Sequence, residues 1–409
     1  MTIYFLTHKL LPTSWSQDML EVVGATVLSP KISTTEDYSL LWVLIVGPPG
    51  TGKTETANLV RHYHHVHPLD NVASAKSLVS GAVNAKGKKA KDLLAEFNGK
   101  CVVMKDMSDM LSGDDRAVKA ILGTLTNVFD GDYDKGIGTA FDGPATIKVS
   151  SKFSLVGCCV AKVLAGREEL MARLGSRYLC YRVPIVGKPK PGPEPYAPKG
   201  ARKTLHNVIA SRLREHLDAA EPLVLKTVLT DDQEVYVTTL ARLVALARTG
   251  ASDQRYTDSD DRPRYHHVLD DPEDHHRVRE QFIVLLRGLA AFNLRTTPAA
   301  GDVQLVQRVA LGTLPRIRAD ILALMRTQPV MIGGYAGVVV SQTAEALGLS
   351  NEGVRGVLTD MTKLGVLVRE PLAYQGPTSK GDFYHLEPEF SEAVLGKYVE
   401  ETANQITTL

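Results

Sequence analysis

The sequence predicts an α/β fold: a parallel-sheet core, then an all-α section, then a small module of helices and strands. Three observations carry this. Continuous apolar runs of strand length recur between residues 41 and 183 and alternate with helical stretches, as in a sheet buried on both faces. A glycine-rich stretch, Gly47-Pro48-Pro49-Gly50-Thr51-Gly52-Lys53-Thr54, joins the first such run to a helix. From about residue 201 the apolar spacing becomes helical.

The chain has 409 residues, 47 Lys+Arg and 46 Asp+Glu, for a formal net charge of +1, with 44% hydrophobic and 23% charged residues. That length accommodates two or three domains. The composition excludes a mainly disordered chain, and the charge balance excludes a uniformly basic nucleic-acid coat, so any anion-binding surface is local.

Residues 1–39 form an N-terminal segment with a short helix at Ser16–Val23. Met1 to Leu6 is too short and too soon interrupted by His8 and Lys9 for a leader peptide. The core is expected at 40–187. Its strands are Leu41–Val46, Cys101–Met104, Phe153–Val160 and Tyr178–Val183; its helices are Glu55–Tyr63 and Ala117–Phe129; Asp130–Gly136 reads as a loop or hairpin tip. A proline-rich linker follows at 188–200. The helical section spans 201–312, with Asp253–His276 as an exposed polar loop; the last module spans 313–390 and a tail 391–409. The longest apolar run, Leu40–Val46, is far below the roughly 20 residues that cross a bilayer. Cys101, Cys158, Cys159 and Cys180 form no C-x-x-C pair, which points to reduced thiols and a cytoplasmic location.

Residues Gly47–Thr54 fit the pattern G-x-x-x-x-G-K-[ST] at every fixed position. Glycines permit backbone angles closed to other residues, so successive N–H groups can face phosphate oxygens at a helix N-terminus. Lys53 adds a point charge, and the Thr54 hydroxyl can complete the shell of Mg²⁺. Such a loop needs a second carboxylate at the end of a neighbouring strand. Asp106 follows Cys101–Met104 with only Lys105 between. The plain alternative is a strand-end Asp capping the next turn.

At these residues the sequence resembles the AAA+ ATPases, and the resemblance covers roughly residues 40–390. It implies ATP and Mg²⁺ as ligands. Gly47, Pro48, Pro49, Gly50, Thr51, Gly52, Lys53 and Thr54 would hold the nucleotide, Thr54 and Asp106 the metal, and Lys53 and Asp106 would act in catalysis. The segment Glu169 to Tyr178 resembles the stretch that carries an arginine finger in that family. Arg177 would reach a neighbouring subunit's γ-phosphate, with Arg173 the alternative; a surface arginine at a helix C-terminus is the other reading. Arg277, with Arg279 second, would be a sensing arginine from the lid. The order of core, lid and C-terminal winged helix is similar to archaeal replication initiators, MCM-type helicases and branch-migration motors. Val128-Phe129-Asp130-Gly131-Asp132-Tyr133 resembles ATPases of phages and mobile elements. A homo-oligomer is implied, hydrolysing ATP to ADP and phosphate to remodel or load something on DNA.

Three departures from the pattern bear on hydrolysis. Met107 stands where the family places a water-polarising Glu, and a thioether accepts no proton; Asp109 is the nearest acid. Cys158-Cys159-Val160 offers no polar sensing residue. Lys105 precedes Asp106 where an apolar residue is customary. Two other function classes follow: a nucleotide-gated DNA-binding switch with little hydrolysis, and a protein-docking adaptor.

Residues Leu314 to Leu386 resemble a winged helix-turn-helix. If it binds DNA, Asn351, Arg355, Thr359 and Lys363 face the major groove and Lys380 a phosphate. Its seven Lys+Arg against six Asp+Glu predict no strong nonspecific affinity. A denser basic patch joins Lys76 with Lys86, Lys88, Lys89 and Lys91, either a nucleic-acid-tracking loop or a solvated surface. His62, His64, His65 and His67 have no Cys or carboxylate interleaved at ligand spacing, so they read as a surface helix end rather than a metal site.

Overall fold

The structure is a computed structural model that describes residues 16–72, 74–79, 93–130, 132–139, 143–167, 177–184, 199–257, 263–372 and 381–396. The described chain divides by its internal contacts into two compact units, Met1–Thr230 with Glu280–Val309, and Asp231–Arg279 with Ala310–Leu409. The stretch 201–312 is thereby shared between them.

The first unit opens with helices α1 (Ser16–Leu28) and α2 (Pro30–Thr35). Helix α1 runs five residues past the expected end at Val23. Gly24 reads as a helix stop, yet here it is a contact: a side chain at 24 would overlap the ring of Phe292. The core then alternates β1 (Trp42–Val46), α3 (Lys53–Val60), β2 (Val66–Leu69), α4 (Ala75–Leu78), α5 (Leu93–Phe97), β3 (Cys101–Met104), α6 (Ser108–Leu111) and α7 (Asp115–Phe129). Hairpin β4 (Asp132–Thr139) and β5 (Gly143–Ser150) follows, and β6 (Ser154–Cys159), α8 (Ala161–Ala165) and β7 (Tyr178–Arg182) complete it.

Strands β2, β3, β6, β1 and β7 make one sheet in that order, every pair parallel. Strand β1 is buried at all five positions, as its unbroken Trp42-Val43-Leu44-Ile45-Val46 run requires at the sheet's interior. Trp42 anchors the core beneath: its indole N–H donates to Phe153 O at 2.8 Å, and the rings of Phe129, Phe153 and Tyr178 lie 4.9, 5.2 and 5.3 Å away. Helix α7 begins where Asp114 accepts the N–H groups of Arg116 and Ala117. The loop or hairpin tip expected at Asp130–Gly136 is corrected in its placement: a hairpin forms, but Asp132–Thr139 is its first strand, paired antiparallel with Gly143–Ser150. Its Gly and Asp content resembles a turn, but the pairing partner lies further along the chain.

Helix α9 (Lys199–Ala220) and a 3-10 turn (Glu221–Lys226) continue the first unit. Next come α10 (Asp231–Ala247), β8 (Ala251–Thr257) and β9 (Pro263–Leu269) in the second unit, then α11 (His276–Phe292) and α12 (Ala300–Thr313). The expected all-α section is corrected here. Much of the polar stretch Asp253–His276 is an antiparallel hairpin, β8 with β9. Backbone pairing satisfies it without the apolar alternation that announces a half-buried strand.

The second unit continues with α13 (Arg316–Thr327), β10 (Val330–Ile332), β11 (Tyr335–Val339), α14 (Val340–Leu347), α15 (Asn351–Lys363), β12 (Leu367–Pro371), β13 (Asp382–Leu386) and α16 (Pro388–Leu395). Its sheet has the order β10-β11-β13-β12, all antiparallel. The hairpin β10–β11 lies between α13 and α14. Gly333 and Gly334, at φ 59° and 86°, form the two-residue turn that such hairpins favour. Between α14 and α15, Gly348 at φ 65° ends the first helix and Ser350 accepts the Gly353 N–H to start the second. No helix among the described residues is long and apolar enough to cross a membrane.

Candidate functional site

The glycine-rich loop sits at the C-terminal end of β1, where parallel sheets gather their ligands. Gly50 and Gly52 take φ of 80° and 83°, and nothing lies within 4 Å of where a side chain on Gly50 would be. That open, left-handed backbone is what the motif's glycines permit. Gly47 has no such room: a Cβ there would come within 2.9 Å of Val183.

Lys53 begins α3 and is buried. Its ammonium donates to Gly47 O at 2.8 Å, to Pro48 O at 2.6 Å and to Thr51 Oγ1 at 3.3 Å. Burial lowers its pKa below the usual lysine value, opposed by Cys158, Cys159 and Asp106. The charge is therefore held at the loop by three oxygens of the loop itself, ready to be exchanged for phosphate oxygens. Pro48 and Thr51 are half-buried, while Pro49 and Gly50 are exposed.

Thr54 and Asp106 reach the same edge from different elements. The Thr54 hydroxyl donates to Lys105 O at 3.3 Å, the carbonyl that precedes Asp106. Asp106 is exposed, and its Oδ1 accepts the Ser108 N–H at 2.8 Å. The two readings of Asp106 thus coexist: it caps the turn into α6 and lies beside Thr54. Ser108 is a residue the sequence reading passed over. Its hydroxyl accepts the Val160 N–H at 3.2 Å, and the Met107 N–H donates to Cys158 O at 2.7 Å, so the turn after β3 is stitched to the end of β6. A hydroxyl two residues beyond Asp106 was the available signal.

The three departures have structural explanations. Met107 is 1% exposed and belongs to the apolar core, its sulfur lodged where any side chain on Gly157 would sit. Lys105 turns outward to Asp70 at 3.2 Å, and Arg61 binds the same carboxylate at 2.9 Å. These two cations hold the Asp70 carboxyl below its ordinary value. Cys158 is fully buried, and burial pushes its thiol up to about 12, so it stays protonated beside Lys53 and is no nucleophile.

Arg177 lies at the other end of the sheet. It precedes Tyr178, which pairs with Trp42, whereas Val46 and the loop begin roughly 16 Å further along the strands. Its guanidinium bonds Asp130 at 2.7 and 3.2 Å and sits 5.9 Å from the Phe129 ring centroid, with its side chain 13% exposed. Arg277, in the second unit, pairs with Glu273, and Arg279 with Glu234 at 3.0 Å. On α15, Asn351, Arg355 and Lys363 are exposed and Thr359 half-exposed, opposite the buried Val354, Leu358 and Met361. Lys76 is exposed; Arg173, Lys86, Lys88, Lys89, Lys91 and Lys380 lie outside the described residues.

Beside α3 an open cavity of about 520 Å³ is lined by Arg61, His62, Arg202, Lys203 and His206, with Glu55 and Asn58. The sequence reading gave no sign of it, because α3 and α9 supply its basic groups from distant segments.

Residues 43–163 match the family described as ATPase family associated with various cellular activities (AAA). The α/β P-loop fold with its five-stranded parallel sheet agrees with that match. Among solved structures, the chain is similar to one described as a "putative ATPase" from Cytophaga hutchinsonii, with 12% identity, 88% of this chain and 92% of that chain covered, and a TM-score of 0.38. It is also similar to a structure described as SCCmec type IV Cch, active helicase, with 10% identity, 92% of this chain and 68% of that chain covered, and a TM-score of 0.32. No curated protein matches the chain.

Proposed function

We propose that this protein is an ATP-binding P-loop ATPase of the AAA type that acts as an oligomer on DNA and hydrolyses ATP slowly. The observation that carries the reading is the gathering of Lys53, Thr54 and Asp106 at one end of the sheet around an open, left-handed glycine loop. The donor set fits Mg·ATP: backbone N–H groups and an ammonium for phosphates, and a hydroxyl with a carboxylate for a hard cation. Bound Mg²⁺ supplies charge neutralisation at the phosphates. Lys53 exchanges its loop carbonyls for phosphate oxygens, and Thr54 and Asp106 hold the metal side.

Slow hydrolysis follows from Met107. The position that would polarise water is taken by an apolar side chain packed into the core, so no acid reaches the phosphate from there. The distance of Arg177 from its own loop is compatible with a role toward a neighbouring subunit, for which its bonds to Asp130 would have to open. The exposed face of α15, with β12 and β13 as a wing, supports a winged helix that contacts DNA through Arg355 and Lys363.

Phosphate release by the wild type and by Lys53→Ala, with and without duplex DNA, tests this. A slow release that depends on Lys53 and on DNA supports it; equal background rates in both proteins overturn the ATPase. ATP-dependent DNA binding without any release would instead support the second reading, a nucleotide-gated switch, which the burial of Met107 favours.

A further inference from the structure

Past the end of α3 the chain turns before entering β2, and that turn presents Tyr63, His64 and His65 to the end of α9 and the 3-10 turn after it. His64 Nδ1 lies 3.8 Å from Asp218 Oδ1, His64 Nε2 lies 4.0 Å from Glu221 Oε2, and His65 Nε2 lies 3.5 Å from Glu221 Oε1. One ligand atom from each of His64, His65 and Glu221 falls within 4.8 Å of the others. Tyr63 donates its hydroxyl to Glu221 Oε2 at 3.3 Å across 158 positions of sequence.

We propose that His64, His65 and Glu221 form a binding site for a divalent transition-metal ion of the zinc type, with Asp218 orienting His64. The separations decide the class of ion. Zinc bonds of about 2.0–2.1 Å in a tetrahedron hold ligand atoms roughly 3.3 Å apart, so donors that lie within 4.8 Å of one another close by at most about 1.5 Å. Side chains that are 58% and 44% exposed, as those of His64 and His65 are, can make that adjustment. The outer arrangement also resembles that of a metal site: one ring nitrogen of His64 lies toward the Glu221 ligand and the other lies 3.8 Å from the Asp218 carboxylate, which a small rotation would bring into hydrogen-bond range. Two imidazoles with one carboxylate suit zinc, cobalt or nickel better than magnesium or calcium. Three protein donors leave the fourth position to water.

Lys31 is the competitor. Its ammonium lies 2.8 Å from Glu221 Oε1 while Tyr63 donates to Oε2, so an incoming cation shares Oε2 with the Tyr63 hydroxyl or displaces Lys31 from Oε1. A bound ion would brace the turn following α3, the helix that carries Lys53 and Thr54, against the end of α9.

The test uses the full chain without nucleotide, in excess Mg²⁺ to fill any hard-cation site. Zn²⁺ alone is titrated against a chromophoric chelator, and Co²⁺ is followed by its visible absorption. One zinc per chain is expected, with affinity lowered about 10–100-fold in Asp218→Asn and at least tenfold in Glu221→Gln. The double variant His64→Ala/His65→Ala should lose both the zinc and the cobalt band. Both histidines are partly exposed, so this variant should fold, and circular dichroism verifies that it does. No stoichiometric zinc uptake by the wild type, or unchanged uptake by the folded double-histidine variant, overturns the site.

Discussion

The sulfur of Met107 occupies the space that a side chain on Gly157 would need, so β6 and the turn after β3 close on each other without a gap. This contact, more than the chemistry of methionine, explains why no acid stands at position 107. A glutamate there would enter the same pocket, among Leu44 and Met110.

Met107→Glu is therefore expected to destabilise the protein, by about 3–5 kcal/mol for an uncompensated buried charge, without raising phosphate release. Urea unfolding alongside a phosphate-release assay checks both halves. A stable variant with faster release would show that position 107 faces the nucleotide.

Lys53→Ala removes a charged donor that already holds three oxygens of the loop. A charge-assisted bond contributes about 1.5–3 kcal/mol, so ATP affinity should fall roughly tenfold to a hundredfold, measured with a fluorescent nucleotide. The unfolding midpoint should fall as well, because Gly47 O is buried and loses its donor while Pro48 O is only partly exposed.

Arg177→Met breaks the pair with Asp130 and the contact with Phe129. We expect a loss of about 1–2 kcal/mol in stability, with ATP affinity of the isolated subunit unchanged, since the residue lies at the far end of the sheet from the loop. Weakened nucleotide binding in dilute, monomeric protein would contradict that placement.

Glu36 and Arg287 make a two-pronged pair at 2.6 and 2.8 Å, and the hydrogen bonds from Arg287 hold the Glu36 carboxyl below its ordinary 4.5. A depressed folded value means that the pair contributes fully above the unfolded value and is lost as pH falls through the folded one. Glu36→Gln should thus cost about 1 kcal/mol at pH 7, discounted because the carboxylate is 34% exposed, and the difference should shrink as pH falls below 4.5 through the depressed folded value. Denaturant midpoints across that range read it directly.

If α15 lies in the major groove, Arg355→Ala and Lys363→Ala should each weaken binding by about 1–3 kcal/mol and relax the sequence preference, with a smaller change in the slope of log affinity against log salt if they also touch phosphate. Unchanged affinity in both would move the contact elsewhere.

Much of the core was legible locally. The five residues of β1 announce a strand buried on both faces, Gly47–Thr54 announces the loop, and Asp106 follows β3, on the edge that Thr54 also reaches. These signals are local because backbone angle, strand burial and motif spacing are properties of adjacent residues. The hairpins β4–β5 and β8–β9 were not legible, since polar strands pair through backbone groups that leave no mark in composition. Helix α1 was cut short for a related reason: Gly24 signals a stop until Phe292 is known to lie against it.

The sequence by itself determined the α/β core, the phosphate loop and the residues around it. It also made Met107 conspicuous, though only the packing against Gly157 decided that the residue points inward. His64 and His65 show the division most sharply. Along the chain they have no carboxylate at ligand spacing, and only the tertiary structure brought Asp218 and Glu221 to them. The reason is physical: a motif is built from neighbours in sequence, whereas a site assembled from the end of one helix and the turn after another exists only once both are packed.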